Sequence, residues 1–127
     1  MNKIIIIDDS IELLEVLKFF LEKNGYQVMI LSHLGNFLDK IKNFQPDLII
    51  LDVLISGKDG REICLELKRN DESKKLCILL FSASPEHLKD YLLCEADDIL
   101  EKPFNLTVLL QKVKEVLKTC SEAPNKV

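Results

Sequence analysis

Leu48-Ile49-Ile50-Leu51-Asp52 is a run of four apolar residues closed by one acid. A segment that is apolar at every position, and not at every second one, belongs to a strand buried on both faces, as in a parallel sheet. Similar runs recur along the chain. Lys3 to Ile7 is followed by Asp8-Asp9, Leu76 to Phe81 by Ser82, and the short run Asp98 to Leu100 by Glu101-Lys102-Pro103; Tyr26 to Leu31 is a further strand candidate. Between the runs lie stripes at helical spacing. Ile11 to Lys23 carries Leu14, Leu17, Phe20 and Leu21 on one face, with Ser10 as N-cap and Asn24-Gly25 as stop. Leu34, Phe37, Leu38 and Ile41 mark a second helix ending before Pro46, and Ile63, Cys64 and Leu67 a third over Gly60 to Arg69. Ser84-Pro85 opens a fourth helix reaching Leu93, and Asn105 caps a fifth carrying Leu106, Leu109, Leu110, Val113, Val116 and Leu117. Five strand–helix units in strict alternation predict an α/β fold: a doubly wound, five-stranded parallel sheet with helices on both faces. The expected domain covers residues 1–120, with a polar, frayed tail over 121–127.

Composition agrees with one globular domain. The 127 residues are 47% apolar and 30% charged, with a formal charge of −4. That balance lacks the basic field that nucleic acid or an anionic membrane surface needs. The apolar runs are far too short to span a bilayer, and no charged-then-apolar leader is visible. Cys64, Cys77, Cys94 and Cys120 contain no Cys-x-x-Cys pair. Neither secretory disulfides nor a zinc site is expected, and a reducing cytoplasm fits best. Cys64 and Cys77 fall on core positions; Cys120 is expected to be exposed and open to an adventitious disulfide. His33 and His87 stand far apart and read as surface or capping residues.

Ligands of doubly wound sheets gather beyond the carboxyl ends of the strands. Those ends carry Asp8-Asp9, Asp52, Ser82 and Lys102. Taken singly, each acid is an ordinary cap or turn former. Together they predict a cluster. Two carboxylates ~4 Å apart repel by about 4 kcal/mol at an effective dielectric near 20, so the set calls for a cation. The donors are all oxygens, which favours Mg²⁺, with Mn²⁺ or Ca²⁺ as substitutes. A carboxylate among such charges can act as a nucleophile toward phosphorus. Asp52, the single acid in the middle of the set, is the expected nucleophile; Asp9 and Asp52 hold the metal with help from Asp8, Lys102 neutralises charge, and the Ser82 hydroxyl donates a hydrogen bond.

These residues resemble the receiver (response regulator) domain of two-component signalling over residues 1 to 118. The motifs are Ile-Ile-Asp8-Asp9-Ser, Leu-Ile-Ile-Leu-Asp52, Lys-Asp59-Gly60, Leu-Phe-Ser82-Ala83, Ala96-Asp97-Asp98 and Glu-Lys102-Pro103-Phe104. The resemblance implies a flavodoxin-like sheet in strand order 2-1-3-4-5 with five helices. It implies phosphoryl transfer to Asp52 from a phosphohistidine of a sensor histidine kinase or phosphotransfer protein. By position, Asp8, Asp9, Asp52 and the Leu54 backbone carbonyl become the Mg²⁺ ligands, Ser82 the switch hydroxyl and Lys102 the phosphate-binding lysine, with the Lys102-Pro103 bond cis. Such a domain assists only its own phosphorylation and hydrolysis and is not an enzyme in the usual sense. Its output face, formed by the fourth helix, fifth strand and fifth helix, often supports a homodimer; Lys89, Tyr91, Asp98, Lys112 and Glu115 are candidates to line it here.

Three positions depart from the family pattern. Ser56 replaces the usual proline four residues after the acceptor, which predicts a less rigid loop; Glu95 replaces a frequent glycine; Ile99 replaces the usual aromatic, so an aromatic rotamer switch is not expected. The main rival is a pseudo-receiver that binds without being phosphorylated. A haloacid-dehalogenase-like phosphatase would need an Asp at position 54, a flavodoxin a Ser/Thr-rich loop after the first strand, and a dinucleotide binder a Gly-rich turn there; none is present.

Overall fold

In a computed structural model the described residues are 2–84, 86, 89 and 94–122. The elements are β1 (Lys3–Ile7), α1 (Ile11–Lys23), β2 (Gln27–Leu31), α2 (Phe37–Phe44), β3 (Leu48–Asp52), β4 (Leu54–Ile55), β5 (Lys58–Asp59), α3 (Gly60–Arg69), β6 (Cys77–Ser82), β7 (Asp98–Glu101) and α4 (Leu106–Glu122). The five long strands form one sheet in the order β2-β1-β3-β6-β7, every pair parallel. Strands β6 and β7 are the fourth and fifth of the expected series, so the expected order holds. Most of the expected helix from Ser84-Pro85 to Leu93 lies outside the described residues, as do His87 and Tyr91. Ser121 and Glu122, placed in the tail by their polarity, are helical.

Alternate side chains of the central strands feed two cores. Ile5, Ile7, Ile49, Leu51, Ile78 and Leu80 pack with Ile41 of α2 and Ile63, Cys64 and Leu67 of α3. Ile4, Ile6, Leu48, Ile50, Leu79 and Phe81 pack with Leu14, Leu17 and Leu21 of α1 and Leu109, Val113 and Val116 of α4. Each fully buried Ile or Leu contributes about 1.5–3 kcal/mol by leaving water. The strand bodies are therefore committed to packing, and polar chemistry is left to their ends.

The expected caps form. Ser10 Oγ accepts from the Leu13 amide at 3.2 Å, and Asn105 Oδ1 from the Val108 amide at 2.8 Å. Asp59 caps α3 through the Arg61 amide at 2.9 Å and also pairs with the Arg61 guanidinium at 2.8 Å. Asp97 is structural. Its Oδ2 meets the nearly buried Lys68 ammonium at 2.7 Å and the Ile78 amide at 2.8 Å, while Lys68 also donates to the Leu76 carbonyl. This knot joins α3, β6 and the start of β7 at the edge of the sheet away from the strand ends singled out above.

Two features differ from expectation. First, the loop after β3 is a small antiparallel hairpin, with Leu54 opposite Asp59 and Ile55 opposite Lys58. Its two turn residues, Ser56 and Gly57, both have positive φ, 51° and 75°, as primed hairpin turns require. A proline at position 56 could not adopt that φ. Second, Cys77 and Cys120 are joined by a disulfide, which the wide cysteine spacing argued against. Sequence distance was the wrong measure, because α4 packs its last turns against the beginning of β6.

Glu95 has φ 65°, a conformation that costs a residue with a Cβ about 1–2 kcal/mol. Its ion pair with Arg69, 3.6 Å long and exposed, offsets little of this. Glu95→Gly is expected to raise stability by about 0.5–1 kcal/mol after allowing for the freer unfolded chain. Urea denaturation measures this, and a lower midpoint at unchanged slope would contradict it.

Candidate functional site

The register of the sheet dictates where the polar ends meet. Ile7 lies beside Leu51, so Asp8 and Asp52 follow at one level; Asp52 lies beside Phe81, so Ser82 comes next; Ser82 lies beside Glu101, so Lys102 follows. Three of the expected residues touch directly. Lys102 Nζ is 2.6 Å from Asp8 Oδ2 and 3.5 Å from Asp52 Oδ2. It also stands 4.5 Å from the centre of the Phe81 ring, whose face adds attraction for a cation.

Asp8 is buried, and its second oxygen accepts from the Ser10 amide at 2.8 Å. Asp52 Oδ1 accepts from the Leu54 amide at 3.4 Å. Its carboxyl is pushed up to about 6, chiefly by burial; Lys102 pulls it down and Asp8 pushes it up further. One ammonium thus leaves the buried Asp8 and the half-buried Asp52 short of positive charge. Immediately behind them, Gly60 donates its amide to the Val53 carbonyl, and a Cβ on Gly60 would strike the Asp52 carbonyl oxygen. The Lys-Asp-Gly motif therefore owes its glycine to the close approach of α3 to the end of β3.

Asp9 is exposed and stands apart from this pair. Its two oxygens accept from the Ser56 amide at 3.0 and 3.3 Å. A proline would lack that N–H, so Ser56 ties the hairpin to the acidic pair. Leu54 lies two residues beyond Asp52 at the start of β4. Ser82 is buried, with Oγ accepting from the Ser84 amide at 3.1 Å, and its carbonyl accepts from the Lys102 amide at 2.8 Å. The Lys102-Pro103 bond is cis. Ile99 is half-buried and packs against the core on the α2–α3 side. His33 Nδ1 accepts from the Gly35 amide at 3.1 Å, a local turn contact.

The donor set of Asp8, Asp9 and Asp52 is entirely oxygen and anionic, which suits a hard divalent ion. The three carboxylates share one edge without being drawn into one ligand cluster. Among the described residues, the only trio of His, Cys, Asp or Glu whose ligand atoms lie within 4.8 Å of one another is Cys77, Asp97 and Cys120. Lys102 sits between Asp8 and Asp52 where a cation would compete with it. Sequence reasoning missed Phe81 beneath the lysine and the Ser56 amide. Phe81 directly precedes Ser82, and the strand register alone would have set it near the lysine.

Comparison with known proteins agrees with this geometry. Residues 4–114 match the family model described as the response regulator receiver domain. The signal receiver domain of a signal transduction histidine kinase from Syntrophus aciditrophicus is 30% identical with a TM-score of 0.85, covering 100% of this chain and 97% of that one. A CheY-like response regulator receiver domain protein from Methanospirillum hungatei is 29% identical with a TM-score of 0.86, covering 96% and 98%. A two-component response regulator from Clostridium difficile is 29% identical with a TM-score of 0.82, covering 93% and 97%. A sheet of this order, an acid-ended central strand and a family match over most of the chain lead to one assignment: this protein belongs to the response regulator receiver domain family of two-component signalling.

Proposed function

We propose that Asp52 accepts a phosphoryl group from the phosphohistidine of a sensor histidine kinase or phosphotransfer protein, in the cytoplasm and with Mg²⁺ as cofactor. The observation that carries this reading is the direct contact of Asp8, Asp52 and Lys102 at the carboxyl edge of the central strands. A carboxylate oxygen of Asp52 attacks phosphorus; the P–N bond to the donor imidazole breaks, and its electron pair returns to the ring nitrogen. The product is a mixed anhydride on the protein's own side chain, so the domain turns over no separate substrate. Lys102, already between the acids, moves its ammonium from Asp8 toward a phosphoryl oxygen. Ser82 gives up its local turn and donates its hydroxyl to another. Asp8, Asp9, Asp52 and the Leu54 carbonyl are the oxygens that would hold Mg²⁺. Bound there, the ion neutralises the acids and the developing charge on the phosphoryl oxygens.

The modification adds roughly −1.5 to −2 charge at this edge. Lys102 and Ser82 are linked through the Lys102 amide, so their movement reaches β7 and the loop after β6 together. The exposed face around β7 and α4, where Lys112 pairs with Asp98 at 3.1 Å, is the proposed partner or homodimer surface. With Ile99 in place of an aromatic ring, the signal is carried by backbone displacement there and not by a ring rotation.

Intact-mass measurement tests the reading. Wild type with Mg²⁺ and a small phosphodonor, or a phosphorylated kinase, should gain about 80 Da, one phosphoryl group, and should gain nothing in a chelator. No gain from either donor would favour the pseudo-receiver. Asp9→Ala should weaken Mg²⁺ binding by about tenfold or more, since affinity follows the charge of the ligand set. The chain has no tryptophan, so calorimetric titration is the suitable readout; unchanged affinity would remove Asp9 from the ligand set.

A further inference from the structure

We infer that Cys77 and Cys120 form a redox-controlled tether that fixes the end of the last helix to the sheet when oxidised and releases it when reduced. This rests on the fold and not on the phosphoryl-transfer reading. The two residues are separated by 43 positions, yet their Cα atoms are 6.3 Å apart and their sulfurs are bonded. That Cα distance lies within the range disulfides accept. The two halves of the bond differ in burial. Cys77 is buried, opens β6 and is held by the ladder to Leu48 of β3. Asp97, whose carboxylate lies within 4.8 Å of the sulfurs, is itself fixed by Lys68 and the Ile78 amide. Cys120 is half-buried on the final turns of α4, where Leu117 and Cys120 only partly enter the core.

Solvent reaches both flanks of the bond. A cleft of about 280 Å³ lies between Pro46, Leu76, Cys77, Leu117 and Cys120, and one of about 150 Å³ between Asp97, Val116 and Cys120. A small thiol can therefore approach Cys120. Its thiolate attacks the Cys120 sulfur, Cys77 leaves as thiolate and takes a proton, and a second thiol molecule resolves the mixed disulfide. The Cys120 thiol is released with one small-molecule disulfide. The reverse exchange, with a small-molecule disulfide as oxidant, remakes the tether. Cys64 and Cys94 do not enter this exchange: both are buried thiols, and the Cys64 thiol donates to the Cys94 carbonyl at 3.3 Å. For a chain in a reducing compartment, the dithiol is the resting form and the bond a response to oxidation.

The test compares full-length protein equilibrated with oxidised glutathione or with dithiothreitol. Alkylation under denaturing conditions should add two groups to the oxidised protein and four to the reduced one, with peptide mapping joining Cys77 to Cys120. Oxidised wild type should melt about 10 °C above reduced wild type, as expected for closing a loop of this length in a domain of this size. Amides in the last two turns of α4 should exchange about tenfold faster or more in the reduced form. Cys120→Ser, at the half-buried position, should fold and show no redox-dependent difference. Four alkylations after oxidation, a glutathione adduct in place of the cross-link, a different pairing, or a melting shift that survives in Cys120→Ser would each overturn the inference.

Discussion

Asp52→Asn protein is expected to gain no phosphoryl group under conditions that label wild type fully. The amide nitrogen is not a nucleophile and the remaining oxygen carries no charge, so the loss should be complete and not graded. The same change should stabilise the metal-free fold. The Asp52 carboxyl is pushed up to about 6, mainly by burial, from the ordinary value of 3.8. The sign follows from linkage. Below the unfolded value both states are protonated and no penalty exists; as pH rises from there the unfolded chain ionises while the folded carboxyl keeps its proton, so the penalty builds between the two values and is complete above the folded one. At neutral pH wild type therefore carries a penalty that the neutral amide removes, on the order of 1–2 kcal/mol once solvent screening of the half-buried carboxyl is allowed for. Urea denaturation in chelator from pH 4 to 7 measures it. Persistent labelling at another residue would displace Asp52 as acceptor, and a variant less stable than wild type at pH 7 would contradict the electrostatic account.

The second large effect belongs to Lys102→Ala. Asp8 is buried and Lys102 is its nearest positive charge, at 2.6 Å. Removing one member of a buried pair costs about 3–5 kcal/mol, and the partial exposure of Lys102 brings the expectation here to about 2–3 kcal/mol. Phosphorylation should slow by about 10²–10³, the usual effect of removing one preorganised donor from developing oxyanion charge. The two effects separate in the double variant. Adding Asp8→Asn should recover most of the stability, because it removes the stranded charge, and recover none of the rate. A denaturant midpoint and a single-turnover phosphorylation rate for all four proteins complete that cycle. A wild-type rate in Lys102→Ala would end the role given to this lysine.

The sheet was legible because its central strands are apolar at every position, and the acids were legible because they interrupt that pattern at the strand ends. Strand order came from resemblance, and pairing then placed Asp8, Asp52 and Lys102 together. The hairpin of Leu54 to Asp59 was not legible: two-residue strands have no periodicity, and positive φ at Ser56 is a choice made by the turn. The choice of Lys102 for Asp8 over Asp52 depends on differences of an ångström that pattern cannot carry. Nor could cysteine spacing foretell a bond that exists only because a helix crosses the start of a distant strand.

Strand β6 carries Ser82, the proposed switch hydroxyl, at one end and the disulfide-bonded Cys77 at the other. Five residue steps of extended chain separate them by about 16 Å. The proposed phosphoryl mark and the proposed tether would therefore be written on opposite poles of a single ribbon of backbone, which gives one domain room for two inputs.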